Sequence, residues 1–117
     1  MAIRVFHCDD SEPYRRLVRE LLRDEDDIEV VGDAEDGAAA LDAISAQPPD
    51  VLLLDVRCEG GGPDLVPRVH AIAPATRVVV LTGMPNQAPV PGSAAVLDKA
   101  VSFERLAGTI RGVTLYS

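Results

Sequence analysis

The most constraining stretch of this sequence is an uninterrupted apolar run that ends in a carboxylate, from Val51 to Asp55. Two prolines precede it and the segment Gly60–Pro63 follows it, which leaves too little length for a free-standing helix. So short and apolar a run is typical of a strand in a parallel sheet that helices cover on both faces. Ligands bind such sheets at the carboxyl ends of the strands. Asp55 is therefore a candidate site residue, and capping of the next helix is the simpler alternative.

The composition indicates one globular domain with a core of Ala, Val, Leu and Ile. Of 117 residues, 47% are hydrophobic and 3% aromatic, and we expect a single domain over residues 1–117. No apolar run approaches the ~20 residues that span a bilayer, and no signal-peptide segment begins the chain. We therefore expect a cytoplasmic protein without membrane association. The formal charge of -8 would repel phosphate backbones, which argues against direct nucleic-acid binding.

Apolar patterning predicts strands and helices that alternate along the chain. Strands are expected at residues 3–8, 28–32, 51–55, 77–82 and 94–97. Helices are expected at residues 14–22, 37–46, 65–72 and 103–110, started by Asp36, Asp64 and Ser102 in the last three cases. Alternation of this kind gives a parallel sheet with helices on both faces.

Helical spacing also predicts which side chains face the core. In the first helix these are Tyr14, Leu17, Val18, Leu21 and Leu22. In the later helices they are Leu41 and Ile44, then Leu65, Val66, Val69 and Ile72, and finally Phe103, Leu106, Ala107 and Ile110.

The connection between the last two strands breaks the alternation. Residues 83–93 contain three prolines and two glycines. Because an interior proline costs about 3 kcal/mol in a helix, a normal helix cannot form here. We predict an irregular, partly extended segment, with the fourth helix of the alternation shortened or missing.

Charged and hydroxyl side chains follow four of the predicted strands: Asp9 and Asp10, Asp55, Thr82, and Lys99. All four strand ends share one edge of a parallel sheet, and three carboxylates there suit Mg²⁺. A carboxylate in such a site can attack a phosphoryl group, while a metal, a hydroxyl and an ammonium neutralise the phosphoryl oxygens. Lys99 is the only lysine beside ten arginines, and its ammonium is a compact point charge.

Taken in order, these five residues resemble the site of the receiver domain of bacterial two-component response regulators, the CheY-like family. The resemblance covers essentially the whole chain. It implies a flavodoxin-like α/β fold, a doubly wound five-stranded parallel sheet in the order 2-1-3-4-5, for which this family is a standard example. Arg57 and the tail from Lys99 to Ile110 look closest to the nitrate-response-type, DNA-binding regulators.

The resemblance also implies a role for each site residue. Asp55 would be the phosphoacceptor, and a sensor histidine kinase would be the donor. Asp9, Asp10 and Asp55 would hold Mg²⁺ together with the backbone carbonyl of Arg57. The phosphoryl-binding side chains would be Thr82 and Lys99. Such a chain is not an enzyme, beyond phosphorylating and dephosphorylating itself, and the family allows a homodimer through the first and last helices.

Several positions depart from the family's pattern. Cys58-Glu59 stands where Met-Pro is usual, Val96 occupies the aromatic switch position, and Ala100 replaces a proline. Together with the proline-rich crossover, these departures support an alternative, an atypical receiver that acts as a phosphorylation-independent protein-interaction module. A phosphatase of the haloacid-dehalogenase type is disfavoured because Arg57 stands where that family has a second aspartate. A small-molecule-binding flavodoxin-like protein would not need Lys99.

The two cysteines and two histidines suggest no metal site. Cys8 and Cys58 lie fifty residues apart and form no CxxC motif, so neither a disulfide framework nor a zinc site is expected. We predict two reduced thiols near strand ends. His7 and His70 have no partner at ligand spacing.

Overall fold

The computed structural model describes residues 2–60, 62–83 and 89–115. Its strands form one parallel sheet in the order β2-β1-β3-β4-β5, which confirms the predicted topology. The strands are β1 (Ile3–Cys8), β2 (Ile28–Ala34), β3 (Val51–Asp55), β4 (Arg77–Thr82) and β5 (Ala95–Asp98). The helices in the described parts are α1 (Glu12–Leu22), α2 (Gly37–Ala46), α3 (Leu65–Ile72) and α4 (Phe103–Leu115).

The central strand β3 shows why the apolar run was informative. All five of its residues are buried, and successive side chains enter opposite faces of the sheet. Leu52 and Leu54 belong to the core that includes residues of α2 and α3. Val51 and Leu53 belong to the core that includes residues of α1 and α4. Two helix layers therefore cover the sheet, as expected of a doubly wound fold.

Polar side chains start three of the four helices. The hydroxyl of Ser11 accepts a hydrogen bond from the Tyr14 N–H at 3.3 Å, and the carboxylate of Asp36 accepts one from the Ala39 N–H at 2.9 Å. Ser102 accepts one from the Arg105 N–H at 3.2 Å. These bonds satisfy amide groups that have no partner within the helix.

The expected cap of α3 is wrong in detail. Asp64 precedes the helix, but its side chain makes no capping hydrogen bond. The reason is that a 3₁₀ turn over Gly62–Asp64 leads directly into α3, so Asp64 already has helical backbone angles. A capping residue needs an extended backbone to turn its side chain back onto the first amides.

Three predicted core positions are also wrong: Leu17, Leu21 and Ile72 are 50%, 38% and 42% exposed. In α1 the buried side chains are Val18 and Leu22, and Tyr14 packs partly buried against the same core, because one row of side chains spaced four apart fills the contact with the sheet. Leu17 and Leu21 lie about 100° round the helix from that row. Ile72 is the last residue of α3.

The crossover from β4 to β5 contains no helix in residues 89–94, as predicted, whereas residues 84–88 lie outside the described residues. In place of a helix face, the side chain of Val90 is buried in the core beside α3. A turn at Gly92, with φ of +85°, brings the chain back, and the Ala94 N–H donates to the Val78 carbonyl at 2.7 Å. Within residues 89–94, one buried apolar side chain and a glycine turn thus close this part of the sheet.

Across the described residues, no helix combines the length and the apolar character that crossing a bilayer requires.

The loop after β3 permits a matched test of backbone strain. Gly60 and Gly62 both adopt left-handed angles, with φ of +69° and +64°. A Cβ at Gly62 would lie 2.6 Å from the Val56 carbonyl oxygen, whereas at Gly60 the nearest atom is 3.9 Å away. We expect Gly60→Ala to cost about 1 kcal/mol of unfolding free energy for its left-handed backbone, and Gly62→Ala to cost at least about twice that. Urea denaturation measures both losses, and equal losses would contradict the steric argument.

Candidate functional site

Three carboxylates converge at the carboxyl edge of the sheet. Cys8 pairs with Leu54 in the ladder between β1 and β3, so the next residues, Asp9 and Asp55, lie side by side. Both are buried, at 0% and 2% exposure, and Asp10 beside them is exposed. One oxygen from each of the three carboxylates lies within 4.8 Å of the others. The expected convergence of these residues is therefore present.

The ammonium of Lys99 lies between the two buried carboxylates. Its Nζ is 2.7 Å from Asp9 Oδ2 and 3.4 Å from Asp55 Oδ2. The backbone positions the side chain, because the Lys99 N–H donates to the Thr82 carbonyl at 2.8 Å. Lys99 thus comes from the far edge strand of the sheet to the centre of the acidic cluster.

The environment of Asp9 favours its ionised form. Burial raises its pKa, but His7, the Lys99 ammonium and the Ser11 N–H together outweigh burial and lower the pKa to about 2. The Ser11 N–H donates to Asp9 Oδ1 at 2.9 Å. Because His7 Nε2 lies 3.7 Å from Asp9 Oδ2, which is too long for a hydrogen bond, we regard Lys99 as the principal partner.

Tyr14 completes the surroundings of the ammonium. Lys99 Nζ lies 4.6 Å from the centre of the Tyr14 ring, within the range of a cation–π contact. Burial and the nearby Asp9 raise the pKa of Tyr14 to about 12. Burial by itself would lower the pKa of Lys99, but its contacts with Asp9 and Asp55 raise it above the ordinary value. The side chain therefore stays positively charged at neutral pH.

The loop after β3 holds the second oxygen of Asp55. The Arg57 N–H donates to Asp55 Oδ1 at 3.1 Å, and the Cys58 N–H donates to the Asp55 carbonyl at 3.1 Å. Above the carboxylates lies a cavity of about 360 Å³, lined by Asp10, Asp55, Arg57, Gly83 and Lys99. A small anionic group can therefore enter beside Asp55.

The remaining predicted positions, Thr82 and Val96, are not among the described residues that line the cavity. Thr82 is buried at the end of β4, and the next residue, Gly83, lines the cavity. Val96, on β5, is partly buried and packs against the core.

Sequence reasoning missed Tyr14 and His7 as neighbours of the site. Their rings meet edge to face at 5.6 Å between centres, and His7 is 1% exposed. Tyr14 was identified only as a core residue of the first helix. Its place in the first turn after two aspartates was the signal that could have revealed it.

Both cysteines are free thiols and buried, and they are also neighbours. Cys8 Sγ and Cys58 Sγ lie 3.0 Å apart, and Cys58 Sγ donates to the Glu35 carbonyl at 3.3 Å. Burial raises the pKa of both thiols. No spacing motif in the sequence revealed this pair.

Comparisons with known proteins place the chain in a family. The family model of the response regulator receiver domain matches residues 5–111. The chain therefore belongs to the response regulator receiver domains, the family that the five site residues resemble.

Among its relatives is the transcriptional regulatory protein NarL of Mycobacterium tuberculosis, 40% identical over 81 residues, which are 68% of this chain and 38% of that protein. Another is a protein-glutamate methylesterase/protein-glutamine glutaminase of Myxococcus xanthus, 40% identical over 81 residues, 68% of this chain and 23% of that protein. The chain thus spans less than two fifths of either relative.

Solved structures agree with the fold. The receiver domain of M. tuberculosis NarL has a TM-score of 0.81 at 31% identity, with 95% of this chain and 98% of that chain covered. The response regulator domain of Thermotoga maritima CheB has a TM-score of 0.87 at 23% identity, with 98% of each chain covered.

The low pKa of Asp9 predicts that part of the domain's free energy of unfolding is lost in acid. An unperturbed aspartate titrates at 3.8 and folded Asp9 at about 2, so its stabilisation is complete above about pH 4 and is lost as the pH falls toward 2. Without Mg²⁺, the free energy of unfolding should fall between pH 5 and pH 2 in both proteins. We expect this fall to be roughly 2 kcal/mol smaller in Asp9→Asn than in wild type. Urea denaturation across this range measures the difference. Asp42→Asn, an exposed change on α2, should keep the wild-type slope, and an unchanged slope in Asp9→Asn would contradict the assignment.

Proposed function

We propose that this receiver domain is a phosphorylation-dependent switch in two-component signalling, with Asp55 as the phosphoacceptor and a sensor histidine kinase as the donor. The observation that carries the proposal is the convergence of Asp9, Asp10 and Asp55 within 4.8 Å, with an ammonium beside the two buried members. An acidic cluster with two buried members, at the carboxyl edge of the sheet and open to a cavity, suits phosphoryl chemistry better than it stabilises the fold.

The donor set fits Mg²⁺. The three carboxylates are hard oxygen ligands, and the exposed position of Asp10 leaves room for the waters that Mg²⁺ usually retains. We propose that Asp9, Asp10 and Asp55 hold the ion together with the backbone carbonyl of Arg57. When bound, Mg²⁺ would supply positive charge to the phosphoryl oxygens during transfer.

The proposed reaction moves one phosphoryl group. A bond forms between a carboxylate oxygen of Asp55 and phosphorus, while the bond from phosphorus to the kinase histidine nitrogen breaks, which leaves an acyl phosphate. The Arg57 N–H, already bonded to Asp55 Oδ1, orients the attacking carboxylate. Lys99 and Thr82 would then neutralise the phosphoryl oxygens.

The switch would follow from a change of partner at Lys99. Its ammonium is nearer to Asp9 than to Asp55, so a phosphoryl group on Asp55 would offer it a stronger anionic partner. Thr82 would move toward the same phosphoryl group. These movements would shift the population of the domain from one conformation to another. Val96 lacks the aromatic ring of the usual switch position, so Thr82 and Gly83 would carry the first movement.

The partners follow from the same proposal. A sensor histidine kinase would supply the phosphoryl group, and an output domain, a separate protein or a second copy of the chain would read the new conformation. The formal charge of -8 speaks against nucleic acid as a direct partner of this chain. DNA binding would belong to another domain.

Phosphorylation is tested with acetyl phosphate and Mg²⁺, read by intact mass. We expect wild type and the exposed control Asp42→Asn to gain one phosphoryl group, and Asp55→Asn to gain none. Absence of an adduct on wild type would favour the phosphorylation-independent interaction module. An adduct that persists in Asp55→Asn would place the acceptor elsewhere, and rapid turnover of phosphate monoesters would indicate a hydrolase.

Metal binding is tested separately by thermal unfolding at constant ionic strength. A ligand that binds only the folded state stabilises it by about 2.7 kcal/mol at 100 times its Kd, so MgCl₂ should raise the wild-type midpoint. Asp10→Asn changes an exposed side chain, so the fold should tolerate it, but it should need at least about tenfold more Mg²⁺ for the same rise. Equal Mg²⁺ responses of Asp10→Asn, Asp42→Asn and wild type would remove Asp10 from the site.

A further inference from the structure

Two thiols face each other beside the site residues, since Cys8 directly precedes Asp9 and Cys58 directly follows Arg57. The Sγ atoms of Cys8 and Cys58 lie 3.0 Å apart, about 1 Å more than the ~2.05 Å of a disulfide bond. Both side chains are buried, Cys8 at 0% and Cys58 at 4% exposure. Two cysteines from distant parts of the chain are thus placed so that a small movement joins them.

The fold holds this arrangement from both sides. Cys8 is the last residue of β1 and is fixed in the sheet ladder opposite Leu54. Cys58 lies in the loop after β3, where its thiol donates to the Glu35 carbonyl. The neighbouring Glu59 carbonyl accepts from the Gly37 N–H at 2.9 Å. The rigid partner is therefore Cys8, and the loop that carries Cys58 is the part that would move.

We propose that Cys8 and Cys58 form a reversible disulfide that ties the loop after β3 to the end of β1 when a hydroperoxide is present. Such a bond is a modification site distinct from the phosphoacceptor. In a reducing compartment both thiols are kept reduced, so the bond would be transient and would report oxidation.

The chemistry balances in two steps. The Cys58 sulfur attacks one oxygen of hydrogen peroxide and the O–O bond breaks. The Cys58 thiol proton goes to the departing hydroxide, so Cys58 sulfenic acid and one water form. The Cys8 sulfur then attacks the Cys58 sulfur and the S–O bond breaks, and the Cys8 thiol proton goes to the departing hydroxide, so a disulfide and a second water form. Peroxide takes up the two electrons that the sulfurs lose. Cys58 would react first, because its loop is the part that would move and its side chain is 4% exposed, against 0% for Cys8.

The bond would alter the site through the residue before Cys58. Arg57 orients Asp55 through its N–H, and its carbonyl is a proposed Mg²⁺ ligand. Pulling Cys58 toward Cys8 removes the thiol donor from the Glu35 carbonyl and shifts this backbone. We expect Mg²⁺ affinity to fall about tenfold, as when a metal ligand loses its supporting contacts. The disulfide itself does not depend on phosphorylation, whereas its effect on Mg²⁺ rests on the proposed function.

The disulfide is tested on the full chain treated with excess hydrogen peroxide. We expect intact mass to show the loss of two hydrogen atoms, denatured protein to show no free thiol, and non-reducing peptide mapping to link the Cys8 and Cys58 peptides. Dithiothreitol should restore both thiols. Cys8→Ala and Cys58→Ala cannot form this disulfide, so they serve as controls that measure the methionine oxidation common to all samples. The proposal would be overturned if two free thiols remained, if a disulfide formed only between chains, or if the cysteine sulfurs gained only oxygen.

The effect on the site is tested with Mg²⁺ alone. Thermal unfolding against MgCl₂ compares reduced wild type, oxidised wild type and peroxide-treated Cys8→Ala. We expect oxidised wild type to bind Mg²⁺ more weakly than reduced wild type, and peroxide-treated Cys8→Ala to bind it as reduced wild type does. Equal affinity with the disulfide present would overturn the coupling. A failure of acetyl phosphate to modify Asp55 would instead contradict the phosphorylation proposal, and the thiol count would be unaffected.

Discussion

The ion pair between one ammonium and two buried carboxylates is the interaction on which the rest of the site depends. Asp9 and Asp55 are withdrawn from water side by side, and two such charges repel each other and lose hydration. Lys99 offsets both costs, yet it lies beyond the end of an edge strand. Its reach to Asp9 requires β1, β3, β4 and β5 to be in register, so the charge arrangement exists only when these four strands are assembled.

The two buried carboxylates lie at unequal distances from the Lys99 ammonium and differ in their other partners. Lys99 lies 2.7 Å from Asp9 and 3.4 Å from Asp55, and Asp9 also accepts the Ser11 N–H. Asp9 therefore has more fixed partners than Asp55 and stays ionised to low pH. Asp55 is held at one oxygen by the Arg57 N–H and lines the cavity. The carboxylate with fewer fixed partners is the one suited to change its covalent state.

The sequence predicted those features that depend on strand order and missed those that depend on packing. The bounds of β3 follow from an apolar run of fixed length, and the meeting of Asp9 and Asp55 follows because parallel strands end at one edge. The exposure of Leu17 could not be predicted, because helical spacing defines a face but not how much of it the sheet covers. The contact between Cys8 and Cys58 depends on the path of a loop, which no periodicity encodes.

The absence of a helix in residues 89–94 changes how a movement at the site could spread. Residues 89–94 are pinned to the sheet through the bond from Ala94 to the Val78 carbonyl, far from the site end of β4. At the site end, the Thr82 carbonyl accepts the Lys99 N–H, and Thr82 pairs with Asp98 in the ladder. A displacement of Thr82 would therefore reach β5 directly through the backbone and would not need a helix or an aromatic ring at Val96.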